Sequence, residues 1–192
     1  MTIILDGTNG LSDVDGSAST PAIRGTDANT GIFFPAADTI AFAEGGTEVM
    51  RIDSAGRVTT PFQPCFHVRL NSGTYLTTSP LPFTNAVFDV GSNFNTSTYR
   101  FTAPVAGKYG FLFNGYFRFN ANSEYGVFGF RVNLSNRQYT ELNAVTATVF
   151  ASPCMTAIFD LSVGDYVDVR WSGTGDYYGG NEECNFYGWL IG

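Results

Sequence analysis

"YGFLFNGYFRF", residues 109–119, packs six aromatic rings and one charge into eleven residues. Its parity decides how it is read. Tyr109, Phe111, Phe113, Gly115, Phe117 and Phe119 hold the odd positions, and Gly110, Leu112, Asn114, Tyr116 and Arg118 the even ones. A period of two is strand geometry, because successive side chains point to opposite faces. An amphipathic helix would repeat apolar residues at spacings of three and four, which this stretch does not single out. A membrane helix needs about 20 apolar residues and would not hold Asn114 and Arg118. The stretch is therefore expected to be one long strand with an aromatic face and a mixed face.

The rest of the chain has the composition of an all-β protein. Its 192 residues include 22 glycines, 18 phenylalanines and 10 tyrosines, and only 14% are charged. Glycine and asparagine serve turns, and aromatic and β-branched residues fill strands. The net charge of −7 repels phosphate backbones, which argues against a nucleic-acid partner. No basic amphipathic segment is present for a membrane surface, so no membrane insertion is expected. "MTIILDGTNG" at the start lacks the basic and apolar regions of a signal peptide, which implies assembly in a cytoplasm. Three cysteines, Cys65, Cys154 and Cys184, argue against a disulfide framework and are expected to be small buried hydrophobes.

Two regions differ along the chain. Residues 1–60 carry strand-like pieces of three to five residues: 32–34, 39–42 and 48–52. Turn signals separate them at "DANTG", "PAAD", "EGG" and "DSAG", with Asn29 and Gly31 expected to supply positive φ. Strands this short need neighbouring chains or repeats to bury their apolar sides. Residues 61–64 read as a junction, since Pro61 and Pro64 block strand pairing. Residues 65–192 read as eight to ten strands with regular turns, a β-sandwich or jelly roll. Expected strands include 86–90, 98–103, 127–134, 145–150, 155–161 and 166–171, with Leu134 on the Phe128 face. The last strand, "FYGWLI", is apolar on both faces. An apolar second face suggests burial against another subunit. Tyr187 and Trp189 here, with Tyr116 of the opening strand, are the candidate contacts of a homo-oligomer.

Three runs carry a family resemblance: "YRFTAPVAGKYGFLFNGYF", "LSVGDYVDVRW" and "NFYGWLIG". Together they resemble the globular head of complement C1q and its tumour-necrosis-factor relatives. The matching positions are Phe101, Pro104, Gly107, Tyr109 and Phe111, then Gly164 and Asp165, then Phe186, Gly188 and Leu190. The resemblance implies a jelly-roll knob over residues 65–192 that forms a homotrimer. Its core would hold Phe101, Tyr109, Phe111, Phe113, Phe186 and Leu190. No Gly-X-Y collagen stalk accompanies it. Residues 21–58 resemble a segment of bacteriophage tail fibres instead, which implies an intertwined N-terminal β-stalk of three chains. Residues 1–60 would then join another virion protein. No large N-terminal anchor domain is seen, which leaves tail fibre and capsid decoration or head fibre both open.

No catalytic constellation is expected. His67 sits alone in an alternating strand without a nucleophile motif, and reads as structural or exposed. "GDYYGGNEEC" offers Asp176, Glu182 and Glu183. These could form a glycosidase pair or a calcium loop, but a solvated loop is the preferred reading. No metal and no cofactor are therefore assigned. The same loop sets Tyr177 and Tyr178 among glycines near Asn181, which resembles an antibody paratope. These residues either pack on a neighbour or on the domain's own end, or bind a host surface glycan or protein. "NSGTYLTTS" (71–79) and "NANSEY" (120–125) are the other candidate loops. The expected product is a virion fibre protein, preferably a tail fibre whose knob recognises the host, and not an enzyme.

Overall fold

The computed structural model describes residues 4–6, 10–12, 14–71, 73–144, 146, 149–179 and 183–192. Every pairing among them is antiparallel and no helix occurs. The chain divides into two compact units, residues 1–62 and 63–192.

In the first unit, β1 (Ile4–Asp6) pairs with β2 (Gly10–Ser12). A meander follows, formed by β3 (Ile23–Arg24), β4 (Gly31–Phe33), β5 (Ile40–Glu44), β6 (Thr47–Ile52) and β7 (Val58–Thr59). Two of its turns are the expected ones. Gly45 and Gly46 adopt φ of 56° and 80° between β5 and β6. The Asp53 carboxylate accepts from the backbone N–H groups of Ala55 and Arg57 in the "DSAG" turn. "DANTG" differs from expectation, because neither Asn29 nor Gly31 lies in the left-handed region. Gly31 is required for close approach instead, since a Cβ there would fall 2.1 Å from the Ile23 carbonyl oxygen. Among the described residues the buried cluster is Phe33, Ala41 and Ala43, with Ala18 against it.

The second unit contains fourteen strands among its described residues. These begin with β8 (Cys65–Arg69), β9 (Tyr75–Leu76), β10 (Asn85–Val90), β11 (Phe94–Asn95) and β12 (Arg100–Thr102). Next come β13 (Gly107–Asn114), β14 (Phe117–Phe119), β15 (Tyr125–Val132), β16 (Ser135–Asn143) and β17 (Val149–Ala151). The last are β18 (Cys154–Leu161), β19 (Tyr166–Gly173), β20 (Asp176–Tyr178) and β21 (Asn185–Leu190). Two five-stranded sheets, β10-β8-β21-β13-β18 and β11-β12-β19-β15-β16, enclose the core as a jelly roll. A four-stranded sheet, β17-β14-β20-β9, completes the unit.

The opening stretch is not one strand. It breaks at Gly115 and Tyr116, where the Gly115 N–H donates to the Pro153 carbonyl and the Tyr116 N–H to the Cys184 sulfur. β13 stays in the large sheet and β14 joins the small one. The parity survives the break: Tyr109, Phe111, Phe113, Phe117 and Phe119 are all buried. Phe101 and Phe186 join them, and Leu190 packs half-buried against the cluster. Phe66 stacks on Phe101 at 4.9 Å and meets Phe186 edge-on at 5.0 Å. Each such ring contributes roughly 1.5–3 kcal/mol by burial, and each favourable pair roughly 0.5–1.5 kcal/mol more.

Two expectations shift, and one strand carries no sequence signal. β16 is nine residues long but lacks apolar alternation, because it is an edge strand exposed along most of its length. Leu134 does not join the Phe128 face. It forms the β15–β16 turn with Asn133, at φ of 67° and 50°. Positive φ at both central residues marks the hairpin turn that matches strand twist. Of the strand expected over 145–150, only residues 149–150 fall in β17, and 145, 147 and 148 lie outside the described residues.

Candidate functional site

Strand alternation gives the second unit two aromatic outer surfaces. The first is the outer face of the β10-β8-β21-β13-β18 sheet. In β21, Phe186 and Gly188 point to the core, so Tyr187 and Trp189 point away. The Trp189 ring lies across Gly110, where a Cβ would come within 2.6 Å of it. A shallow groove of about 440 Å3 on one side of Trp189 is lined by Cys65, Phe88, Leu112, Asn114 and Tyr187. A second groove, of about 530 Å3, is lined by Gly110, Gln138, Thr156, Ile158 and Ile191. Trp189 is 43% exposed and Ile158 66%. His67 belongs to this face. Its ring stacks on Tyr187 at 4.2 Å, and Nε2 bonds Asn185 Oδ1 at 2.8 Å. That is a structural histidine.

The second surface is the outer face of the four-stranded sheet. Phe117, Phe119 and Tyr177 enter the core, so Arg118, Asp176 and Tyr178 face outward. Four rings stand in a row. Phe150 stacks on Tyr116 at 5.4 Å, Tyr116 meets Tyr178 at 6.4 Å, and Tyr178 meets Tyr75 at 5.0 Å. The Arg118 guanidinium lies 3.5 Å from the Tyr75 centroid and forks onto Asp176 at 3.1 and 2.6 Å. Asn120 Nδ2 donates to the same carboxylate at 3.0 Å. The carboxylate holds the Arg118 guanidinium above its usual range. Both Asp176 oxygens are thus engaged, by the guanidinium and by the Asn120 amide.

The structure separates the predicted site residues. Tyr177 is corrected from candidate ligand contact to core. It is fully buried, and its hydroxyl donates to the Thr78 carbonyl at 2.6 Å. Burial pushes its phenol well above the ordinary range. Tyr178, its neighbour in sequence, stays on the surface because adjacent strand residues face opposite ways. Asn181 and Glu182 lie outside the described residues. The predicted contact trio also divides: Tyr187 and Trp189 share the large sheet, whereas Tyr116 belongs to the aromatic row. Tyr75 falls in the candidate loop 71–79, whereas Arg118 and Phe150 were not candidates. The signal for Tyr75 was its Gly- and Thr-rich loop, and for Arg118 the lone charge in an aromatic run.

The cysteines divide too. Cys184 is buried, accepts from the Tyr116 N–H and donates to the Tyr178 carbonyl at 3.0 Å. Burial pushes its thiol up to about 12. Cys65 is half-buried, and Cys154 is exposed because Met155 takes the inward position. On the second large sheet, Asp168 is fully buried and forks with Arg131 at 2.6 and 2.9 Å, with Arg100 at 3.3 Å. Among the described residues no group of three or more His, Cys, Asp or Glu is placed to hold a metal ion. No described helix is long and apolar enough to cross a membrane.

Known structures share this arrangement of sheets. The globular domain of zebrafish complement 1qA protein is similar at 20% identity and a TM-score of 0.51, over 68% of this chain and 98% of that one. Eiger TNF from S. frugiperda is similar at 13% identity and a TM-score of 0.53, over 68% and 94%. At such identities the likeness shows the fold. No curated protein matches the chain in sequence. The C1q domain family does match, over residues 65–191. That span is more than half of the 192 residues, and the chain belongs to the C1q domain family.

Proposed function

We propose that this chain is a structural fibre protein of a bacteriophage virion, a homotrimer whose C1q knob recognises the host cell surface. One observation carries the reading. Two units lie on one chain, and each leaves apolar surface that one copy does not bury. The meander in the fibre-like segment has a cluster of three buried residues, and leaves Ile23, Ile40 and Val58 exposed. The knob leaves Trp189, Phe88 and Ile158 exposed on one sheet. Packing three copies around that sheet removes these side chains from water, and large apolar patches mark such interfaces. Trimerisation also multiplies weak recognition sites, so that avidity supplies retention. The role is binding and structural rather than enzymatic, in keeping with the C1q domain.

Gold-labelled antibody against the knob, imaged on whole virions, tests the placement. Gold at the tail is expected. Gold spread over the capsid would make this a decoration protein or head fibre. A monomeric mass for the intact chain in solution would sink the trimer.

A further inference from the structure

We propose that the outer face of the four-stranded sheet is a binding platform for a neutral oligosaccharide. This deepens the host-recognition reading and rests on it for its biological purpose.

The row Phe150–Tyr116–Tyr178–Tyr75 advances in steps of 5.4, 6.4 and 5.0 Å between ring centroids. It is one ring wide and several rings long, which suits a chain-like ligand. Phe150 and Tyr75 at its ends are exposed, at 48% and 36%. Rings of this kind offer rigid apolar area at low entropic cost. The C–H faces of pyranose rings are the complementary surface.

The polar groups beside the row select among ligands. Arg118 is the cation of this face, and Asp176 and the Tyr75 ring already occupy it. No uncommitted positive charge therefore greets a phosphate, sulfate or carboxylate. The net charge of −7 works against anionic ligands as well. What remains is suited to hydroxyl groups: tyrosine hydroxyls along the row, the Asn120 amide oxygen, and lone pairs of Asp176. Apolar rings flanked by hydroxyl partners, without free charge, fit a neutral sugar. A second copy of the chain is a poorer occupant. Its apolar surface is concentrated on the other sheet around Trp189, whereas here the row is narrow and bordered by Arg118, Asp176 and Asn120.

Titration of the full chain with maltohexaose, cellohexaose and chitohexaose, and with their sulfated forms, tests this. At least one neutral hexaose is expected to bind. Tyr75→Ala and Tyr178→Ala should each weaken it by about tenfold, the loss of one stacking ring, with thermal midpoint and mass unchanged. Tyr139→Ala, at an exposed tyrosine of β16, should leave binding intact. If Tyr178→Ala unfolds, Phe150→Ala at the exposed end of the row takes its place. The inference is overturned if folded wild-type protein binds none of the neutral hexaoses. It is equally overturned if folded row variants bind as well as wild type, or if the sulfated forms bind tighter. Gold on the capsid with hexaose binding intact would remove the tail-fibre reading and leave this site standing. Gold at the tail without binding would do the reverse.

Discussion

The two units of this chain are built from strands of the same kind but differ in how much they bury. The knob holds a continuous cluster of aromatic rings between two sheets, whereas the meander holds one phenylalanine and two alanines. Both place apolar residues inward by strand alternation, as β5 and β13 do. Local correctness is therefore shared, and core volume is what separates them. A strand pattern specifies which side chains face inward. Only enough inward-facing area offsets the entropy of ordering the chain.

The largest test of that contrast is to separate the units. Residues 63–192 should fold alone with a cooperative urea transition, and residues 1–62 should show none. A cooperative transition in the short fragment would break the comparison. Next, Trp189→Glu places a charge on the exposed sheet face and should lower the mass of the proposed trimer to that of a monomer, with strand content retained. Within the knob, Phe111→Ala should cost roughly 3–5 kcal/mol in urea unfolding, as large-to-small changes in a dense core do. Phe33→Ala, in the meander, should leave the knob midpoint in place. Gly188→Ala should cost less, about 1–3 kcal/mol, because its Cβ would sit 2.4 Å from Phe66 and force repacking.

The smallest effects come from pH, and they have opposite signs for the buried groups of the knob and for the exposed carboxylates of both units. Burial raises the folded pKa of Tyr177 and of Cys184, whose ordinary values are 10.0 and 9.0. Raised folded values favour the neutral forms. Their stabilisation is complete below pH 9 and is lost as pH rises, for Cys184 toward about 12. Cys184→Ala should flatten the early part of that alkaline loss in a melting series. In the meander, the Thr30 hydroxyl holds Asp27 below its usual value, and the Arg57 N–H holds Asp53 down. Those contributions exist above pH 3.8 and fade as pH falls through the lowered values. Asp165, in an exposed knob turn, follows the same acid trend through its bond from Asn133. Melting series that showed no alkaline loss in the knob would contradict the buried placement of Tyr177 and Cys184.

Much of this was legible before any coordinates. The parity of 109–119 placed Tyr109, Phe111 and Phe113 inward, and the turn residues of "EGG" and "DSAG" marked their hairpins. The C1q resemblance rested on Phe101, Gly107, Tyr109 and Gly188, and the fold agrees with it. The edge strand β16 was not legible, because an exposed strand has no hydrophobic alternation to read. Nor was the exposure of Cys154, which depends on Met155 taking the inward side.

The sequence by itself determined the all-β class, the inward face of most strands and the location of their turns. These follow from side-chain chemistry at neighbouring positions. The tertiary structure alone decided where the aromatic run breaks, that Tyr177 is core while Tyr178 is surface, and that Asp168 is buried against Arg131. It also brought Phe150, Tyr116, Tyr178 and Tyr75 into one row from segments as much as a hundred residues apart. Such placements depend on strand register between distant segments, and nothing in a local pattern fixes which strand will lie beside which.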